Sequence, residues 1–413
     1  MQNYPIQAVV TAGNIRYNVK LKICIISLWK GEAPHLKLAY LDNSATTAVC
    51  PQAVDQAIYM MRECFGNPSS LHAVGFAAER ELEEARRQVA SLLGARPDTI
   101  LFTSGGTEAN NLAILGGALA RQRTGRHTVT TAVEHASVAA AFGELERQGF
   151  ACERLVPGAD GGITAAQVAA ACREDTVLVS VMLVNNETGA RFPLEEIIPA
   201  VRRAAPHALI HCDAVQAAGK LPIRVESLDV DLLTVSGHKL HAPKGCGALY
   251  IKKGIRLLPR ALGGEQEKKR RAGTEAMPLI AAFGAAIQAL PDLREQDAHF
   301  HRLLRRLLDG LAGRDEVILH RPANAVPYIV NLSVPGLRSE TMLHFLSERG
   351  VMVSSGSACA KGAKSPVLTA LGLPAREIDS ALRISFCRDN TEEDIDRLLA
   401  GLQEAWNTLA HVR

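Results

Sequence analysis

The tetrapeptide Ser236-Gly237-His238-Lys239 closes the apolar run Val230–Val235. A strand that ends in a hydroxyl, an imidazole and an amine gathers three groups that seek phosphates and carbonyls. A lysine in that position can condense with an aldehyde as a Schiff base and later carry a proton. Other polar groups follow apolar runs upstream. Thr103-Ser104-Gly105-Gly106-Thr107-Glu108-Ala109-Asn110-Asn111 joins a strand to a helix. Its glycines let backbone approach an anion, and the free N–H groups of the helix start, with the Thr107 hydroxyl, can hold a phosphate. The segment lacks both GK[ST] and GxGxxG, and the same residues also make an ordinary N-cap turn.

Glu134-His135 follows the apolar run Val129–Val133, where an imidazole can stack on a planar ring, carry a proton, or serve structure alone. Asn185-Asn186-Glu187-Thr188-Gly189 follows Val184; its amides can bond a substrate carboxylate or a ring hydroxyl, or simply shape a turn. His211-Cys212-Asp213-Ala214-Val215-Gln216 ends a further run. A buried aspartate needs a partner, and the protonated nitrogen of a pyridine ring is a fitting one, with Gln216 in reach of a ring substituent. Phosphate loop, imidazole, Asn, Asp and then Ser-Gly-His-Lys, in that order, describe a site for pyridoxal 5'-phosphate.

These groups need a scaffold that brings strand ends together. From about residue 50 to 290 short β-branched runs alternate with helical stretches. Helices are expected over Ala53–Phe65, Ala73–Leu93, Thr107–Ala120, Thr164–Cys172 and Leu194–Ala205. Strands are expected over Thr99–Thr103, Val129–Val133, Val177–Val184, Leu209–Cys212, Leu232–Val235 and Ala248–Ile251. Nearly continuous apolar strands between helices imply an α/β fold with a mostly parallel, doubly covered sheet, whose ligands sit at the carboxyl ends of the strands. Beyond about residue 290 the pattern changes to α+β. Arg302–Leu311 is a basic amphipathic helix, Tyr328–Val334 a strand, Ser339–Arg349 a helix and Arg383–Phe386 a strand. A helix over Thr391–Leu409 opens on the capping-box pattern Thr391-Glu392-Glu393-Asp394. The expected organisation is a large cofactor-binding domain over 50–290 and a smaller α+β domain from 36–49 plus 291–413.

Composition narrows the class. The chain has 413 residues, 47% of them hydrophobic and 22% charged, an ordinary balance for a globular protein with large cores. A net charge of only +3 gives no electrostatic case for a nucleic-acid partner, and Lys268-Lys269-Arg270-Arg271 reads as a solvated loop. The nine cysteines form no CxxC pair and no metal-like spacing with histidine, which favours a reducing cytoplasm over a disulfide scaffold. Near the start, the apolar run Ile23–Trp29 between lysines is too short to span a bilayer. Residues 1–35 are expected to be an extension outside the fold. Leu36 would be a natural start if an alternative initiation codon encoded it, with Lys30-Gly31-Glu32 a translated ribosome-binding site.

With these motifs quoted, the chain resembles the cysteine desulfurases of the NifS/IscS type, within the class V aminotransferase group of fold-type I pyridoxal phosphate enzymes. The resemblance runs from Tyr40-Leu41-Asp42-Asn43-Ser44-Ala45-Thr46-Thr47 to the C-terminus. It takes in Gly66-Asn67-Pro68-Ser69-Ser70, Arg271-Ala272-Gly273-Thr274 and Ser354-Ser355-Gly356-Ser357-Ala358-Cys359, and departs from the family's usual Asp-Asn-Ala-Ala by a hydroxyl at Ser44. It implies that Lys239 holds the cofactor, that Asp213 pairs with the pyridinium nitrogen, that Gln216 meets the ring hydroxyl and that His135 stacks on the ring and helps proton transfer. It further implies that Gly106, Thr107, Ser236 and His238 bind phosphate, that Asn185 contacts cofactor and substrate, and that Arg383 holds the substrate carboxylate. Thr274 would reach the cofactor of a neighbouring subunit, hence a homodimer.

Cys359 separates the reactions open to this group, since plain aminotransferases need no thiol. It lies in a small-residue stretch with Lys361 and Lys364 close by, which favours thiolate, whereas Cys24, Cys212 and Cys246 sit among apolar neighbours. The implied activity is removal of sulfur from L-cysteine to give L-alanine and a Cys359 persulfide, passed to an acceptor that is an iron–sulfur scaffold or a tRNA-thiolation enzyme. The family's transient use of this cysteine to hold iron–sulfur intermediates is a further expectation at Cys359. The segment from Cys359 to Leu371-Gly372 is shorter than in IscS members and carries Lys-Gly-Ala-Lys, which bears on the choice of acceptor. A selenocysteine lyase, a class V aminotransferase and a cofactor-less scaffold are the competing readings.

Overall fold

In the computed structural model, residues 38–158, 160–355 and 365–411 are described. Residues 1–37 and the Cys359 segment lie outside them, and so do the expectations for the N-terminal extension and the reactive thiol. Twelve strands are found among the described residues. In chain order they are β1 (Ala39–Tyr40), β2 (Ile100–Thr103), β3 (His127–Thr131), β4 (Ala151–Leu155), β5 (Thr176–Ser180), β6 (Leu209–Asp213), β7 (Leu232–Ser236), β8 (Gly247–Ile251), β9 (Ile318–Leu319), β10 (Ile329–Ser333), β11 (Val351–Met352) and β12 (Ala381–Ser385). Seven of them form one sheet in the order β2-β8-β7-β6-β5-β3-β4. Only β8 runs antiparallel to its neighbours, so the sheet is mostly parallel, the α/β architecture expected.

Both faces of the sheet are covered because the strand residues are apolar on both. Phe102, Ile210 and Leu233 join one core, with the Ala73–Leu93 and Met277–Gln288 helices. Leu101, Leu209 and Leu232, one residue away in each strand, join a second core under the 106–120 and Ala136–Arg147 helices. This is the period-two alternation of a strand packed on two sides. The edge strand β4 is mostly exposed, and its Cys-Glu-Arg sequence gave no strand signal. The Met277–Gln288 helix, MPLIAAFGAAIQ, was also missed: it is buried nearly all round and shows no polar stripe. At Gly284 an added Cβ would stand 2.9 Å from the Ala85 Cα, so glycine sets the approach of two helices.

The expected strand Val129–Val133 is corrected to end at Thr131, whose hydroxyl donates to Glu134 Oε1 at 2.9 Å and turns the chain out of the sheet. Val177–Val184 likewise leaves regular pairing after Ser180. The helix expected from Thr107 starts one residue earlier and contains a π-turn at Leu112–Gly116.

A second, antiparallel sheet has the order β12-β10-β9, and β1 pairs in parallel with β11. Isolated bridges Asp42–Ser385 and Ser354–Arg383 tie the β1 and β11 segments to β12. The C-terminal helix Glu392–Thr408 carries the expected capping box between Thr391 and Asp394. Residues Ala39–Arg413 cluster as one unit, and among the described residues no helix is long and apolar enough to cross a membrane.

Candidate active site

The sheet's topology brings the polar strand ends together. β6 ends at Asp213, β7 ends at Ser236, and β2 ends at Thr103, and the register pairs Ser236 and Thr103 with the same residue, Gly247. Lys239 closes the short 3₁₀ turn Gly237–Lys239 beyond β7 and is only 8% exposed. Burial depresses its amine to about 7, assisted by the Arg383 and Lys220 charges and opposed by Asp42 and Asp213. The amine donates to the Ser44 and Ala45 carbonyls, and Gln216 Nε2 donates to the Ser44 carbonyl at 3.0 Å. The segment is held there by Thr47, whose N–H and hydroxyl both reach the His238 carbonyl at 3.0 Å. Burial and the neighbouring lysines push the His238 ring down to about 4, so it is neutral near pH 7.

Asp213 is buried. Its Oδ1 accepts the Val215 N–H at 3.0 Å, and Oδ2 accepts Asn110 Nδ2 at 2.7 Å. Carboxylate oxygens have lone pairs beyond these two bonds. Behind it His211 bridges Ser180 Oγ at 2.8 Å and Thr234 Oγ1 at 3.1 Å; burial holds it near pKa 4, which makes it a neutral structural residue. His135 is the N-cap of the Ala136–Arg147 helix, its Nδ1 within 2.8 Å of Ser137 Oγ and 3.2 Å of the Ser137 N–H.

The segment from Gly105 matches an anion cradle. The Ser236 hydroxyl is buried and has no partner among the described residues. A Cβ on Gly106 would stand 3.0 Å from Val215 Cγ2 and 3.5 Å from Ser236 Cβ, so a side chain there would crowd the space beside the hydroxyl. Thr107 is exposed at the helix start. Glu108 braces the turn, accepting the Ser104 N–H at 2.7 Å and pairing with Arg271 at 2.8 Å.

Arg383 lies in β12 and is 1% exposed. Its Nη2 meets Asp42 Oδ1 at 2.7 Å and its Nη1 donates to the Asn186 carbonyl at 3.0 Å, while Nε is buried with no partner among the described residues. Asn185, expected to contact cofactor and substrate, is held in its own turn. Its Oδ1 accepts the Glu187 and Thr188 N–H groups, both at 2.9 Å, and its Nδ2 donates to the Val133 carbonyl at 2.9 Å. Its amide is spent on shaping the turn. The Oδ1 of the neighbouring Asn186 is buried with no partner among the described residues. Thr274 is exposed. Asn110, Glu134, Ser137 and Glu187 went unassigned in the sequence. Glu134 accepts the Thr131 hydroxyl and the Met182 N–H, each at 2.9 Å, and burial raises it to about 8. Glu187 accepts the Ser365 hydroxyl at 2.5 Å. Burial lifts the thiols of Cys246 to about 12 and of Cys212 well above the ordinary value, in line with their expected inertness.

A buried, largely neutral amine, a carboxylate and an orphaned hydroxyl beside side-chain-free backbone form a donor set that fits an aldehyde cofactor carrying a phosphate and a basic ring nitrogen. With the parallel sheet, this defines a fold-type I pyridoxal phosphate enzyme. The chain belongs to the class-V aminotransferase family, whose model matches residues 39–398, and within it to the cysteine desulfurases. "Cysteine desulfurase 2" of Trichormus variabilis is 41% identical over 88% of this chain and 92% of that protein. "Cysteine desulfurase IscS" of Methanosarcina thermophila is 40% identical over 89% and 92%. Among solved structures, a "NIFS-like protein" superposes with TM-score 0.85 at 35% identity, covering 90% of this chain and all of that one. "SspA in complex with cysteine" follows at TM-score 0.75 and 34% identity, covering 84% and 98%.

Proposed function

We propose that this chain is a pyridoxal phosphate-dependent cysteine desulfurase, with Lys239 as the cofactor lysine and Cys359 as the sulfur-accepting nucleophile. The observation that carries the cofactor half is the Lys239 amine, buried and depressed to about 7. Near neutral pH such an amine is free to act as a nucleophile toward an aldehyde and later as a base. Bound pyridoxal phosphate supplies an electron sink that weakens the bonds at the substrate's α-carbon and, through it, the Cβ–S bond. Asp213 would hold the ring nitrogen, while Ser236, His238, Gly106 and Thr107 would hold the phosphate. Gln216 would meet the ring hydroxyl and His135 the ring face.

Arg383 would orient the substrate carboxylate with the donors left free by Asp42 and Asn186, with Asn185 beside cofactor and substrate. Lys239 would take the α-proton and return it. The Cys359 thiolate would attack the substrate sulfur: a sulfur–sulfur bond forms, the Cβ–S bond breaks, and its electron pair stays on carbon, which becomes the alanine methyl after protonation. The persulfide then passes to an iron–sulfur scaffold or a tRNA-thiolation enzyme.

The expected division into a 50–290 cofactor domain and a domain from 36–49 plus 291–413 accompanies this proposal, supported by the separate sheets. The homodimer does too, supported by an apolar surface of Val54, Ile58, Met61, Phe65, Leu71 and Phe76, with Phe65 70% and Leu71 89% exposed. The seven unpaired cysteines among the described residues are consistent with work in the cytoplasm. The test is incubation with L-cysteine and a reducing thiol, measuring sulfide and alanine together, beside Cys359→Ser. Equal release of both, lost in Cys359→Ser with the cofactor absorbance kept, is expected. Alanine formed by Cys359→Ser from a keto acid at the wild-type rate would overturn the proposal in favour of transamination. Activity confined to selenocysteine would replace the substrate.

A further inference from the structure

Between Asp213 and His135 runs an unbroken chain of hydrogen bonds that the proposed mechanism does not use. Asn110, buried in the helix that follows the glycine turn, donates from Nδ2 to Asp213 Oδ2 at 2.7 Å and to Ser137 Oγ at 2.9 Å. Ser137 Oγ lies 2.8 Å from His135 Nδ1, and the Ser137 backbone N–H approaches the same nitrogen at 3.2 Å.

Donor counting fixes every proton in this chain. A carboxylate only accepts, so Asn110 must turn its NH₂ group toward Asp213. The second hydrogen of that group goes to Ser137 Oγ, and because the Ser137 N–H already holds Nδ1 as an acceptor, the hydroxyl 2.8 Å from that nitrogen must donate to it. A backbone N–H cannot accept, so the 3.2 Å contact also points a hydrogen at Nδ1. With two donors aimed at it, Nδ1 carries a lone pair, and the proton of the neutral ring is on Nε2. The amide pays for this arrangement: Asn110 Oδ1 is buried with no partner. The flipped amide would set that oxygen against the Asp213 carboxylate, so the orphan is the lesser penalty.

We propose that Asn110 and Ser137 are positioning residues that couple the Asp213 carboxylate to His135 and hold its imidazole as the Nε2–H tautomer. His135 then exchanges protons, and presents its hydrogen-bond donor, only through Nε2. This rests on the assignment of Asp213 and His135 to the two sides of the cofactor ring. The relay makes the group that holds the ring nitrogen and the group over the ring face one unit, with orientation set from behind.

The experiment is ¹⁵N-histidine NMR on the holoenzyme, the His135 signal being assigned with His135→Gln. The wild type should show an unprotonated Nδ1 and a protonated Nε2. In Asn110→Ala the Ser137 hydroxyl loses the donor that orients it, leaving the Ser137 N–H alone to hold Nδ1 as an acceptor, so a share of Nδ1–H should appear beside the Nε2–H tautomer. Ser137→Ala should act likewise, and Ser137→Thr should restore the wild-type signal. The loss of one neutral hydrogen bond sets the expected fall in kcat at roughly three- to tenfold, with little change in KM. A proton on Nδ1 in the wild type would refute the relay without any variant being needed. So would one unchanged tautomer in both alanine variants. If the chain released no sulfide while Nδ1 was bare, the functional proposal would fail and the relay would stand.

Discussion

The Lys239 amine offers a quantitative test of how burial prepares this site. Its depression from 10.5 to about 7 corresponds to about 5 kcal/mol of preference for the neutral form. At pH 7.5 about three-quarters of such amines are unprotonated, against about one in a thousand for an ordinary lysine. The gain in nucleophile is therefore several hundredfold. With the cofactor removed, the rate at which added pyridoxal phosphate is taken up, followed by absorbance, should rise with pH through a midpoint near 7. A parallel reaction with a free lysine derivative corrects for titration of the aldehyde itself. Lys220→Met perturbs the same quantity: Lys220 Nζ donates to the Lys239 carbonyl at 3.3 Å, and its charge adds to the depression. Removing that charge should move the midpoint upward. Burial is the larger cause, so the midpoint should still stay well below that of an exposed lysine. A wild-type midpoint above about 9 would refute the reasoning, because it would mean that water or a counter-ion reaches the amine.

Two further outcomes follow from the same geometry. Arg383→Lys removes the planar fork beside Asn186, and the loss of a charge-assisted bond to the substrate carboxylate should raise KM for cysteine about 10- to 100-fold with the cofactor absorbance unchanged; an unchanged KM would place the carboxylate elsewhere. Phe65→Glu with Leu71→Glu sets charge in the exposed apolar surface and should shift the proposed homodimer to monomer in sedimentation, with reduced cofactor content, as the proposed reach of Thr274 across subunits requires. A variant that stays dimeric would remove that surface from the interface.

Much of the site was legible because its groups sit where strands end. Asp213 and Ser236–Lys239 terminate apolar runs, and in a parallel sheet those termini share one edge whatever the details of packing. The order of the motifs therefore carried the cofactor, while the expectation for Cys359 lies outside the described residues. What the local pattern could not hold were contacts between distant residues. Asn110 and Asp213 are 103 residues apart, and Arg383 and Asp42 are 341 apart. Neither pair leaves a periodicity or a spacing to read.

Asn185 shows the division most sharply. The sequence determined that an amide follows the strand before Glu187, and the family resemblance implied that Arg383 in the last strand meets a carboxylate. Only the folded backbone decided that Asn185 closes its own turn, because the Glu187 and Thr188 N–H groups curl back onto it. Residue type is a local property and was written in the chain. Which hydrogen bonds a buried polar group has left to give depends on everything packed around it, and that is set by tertiary structure.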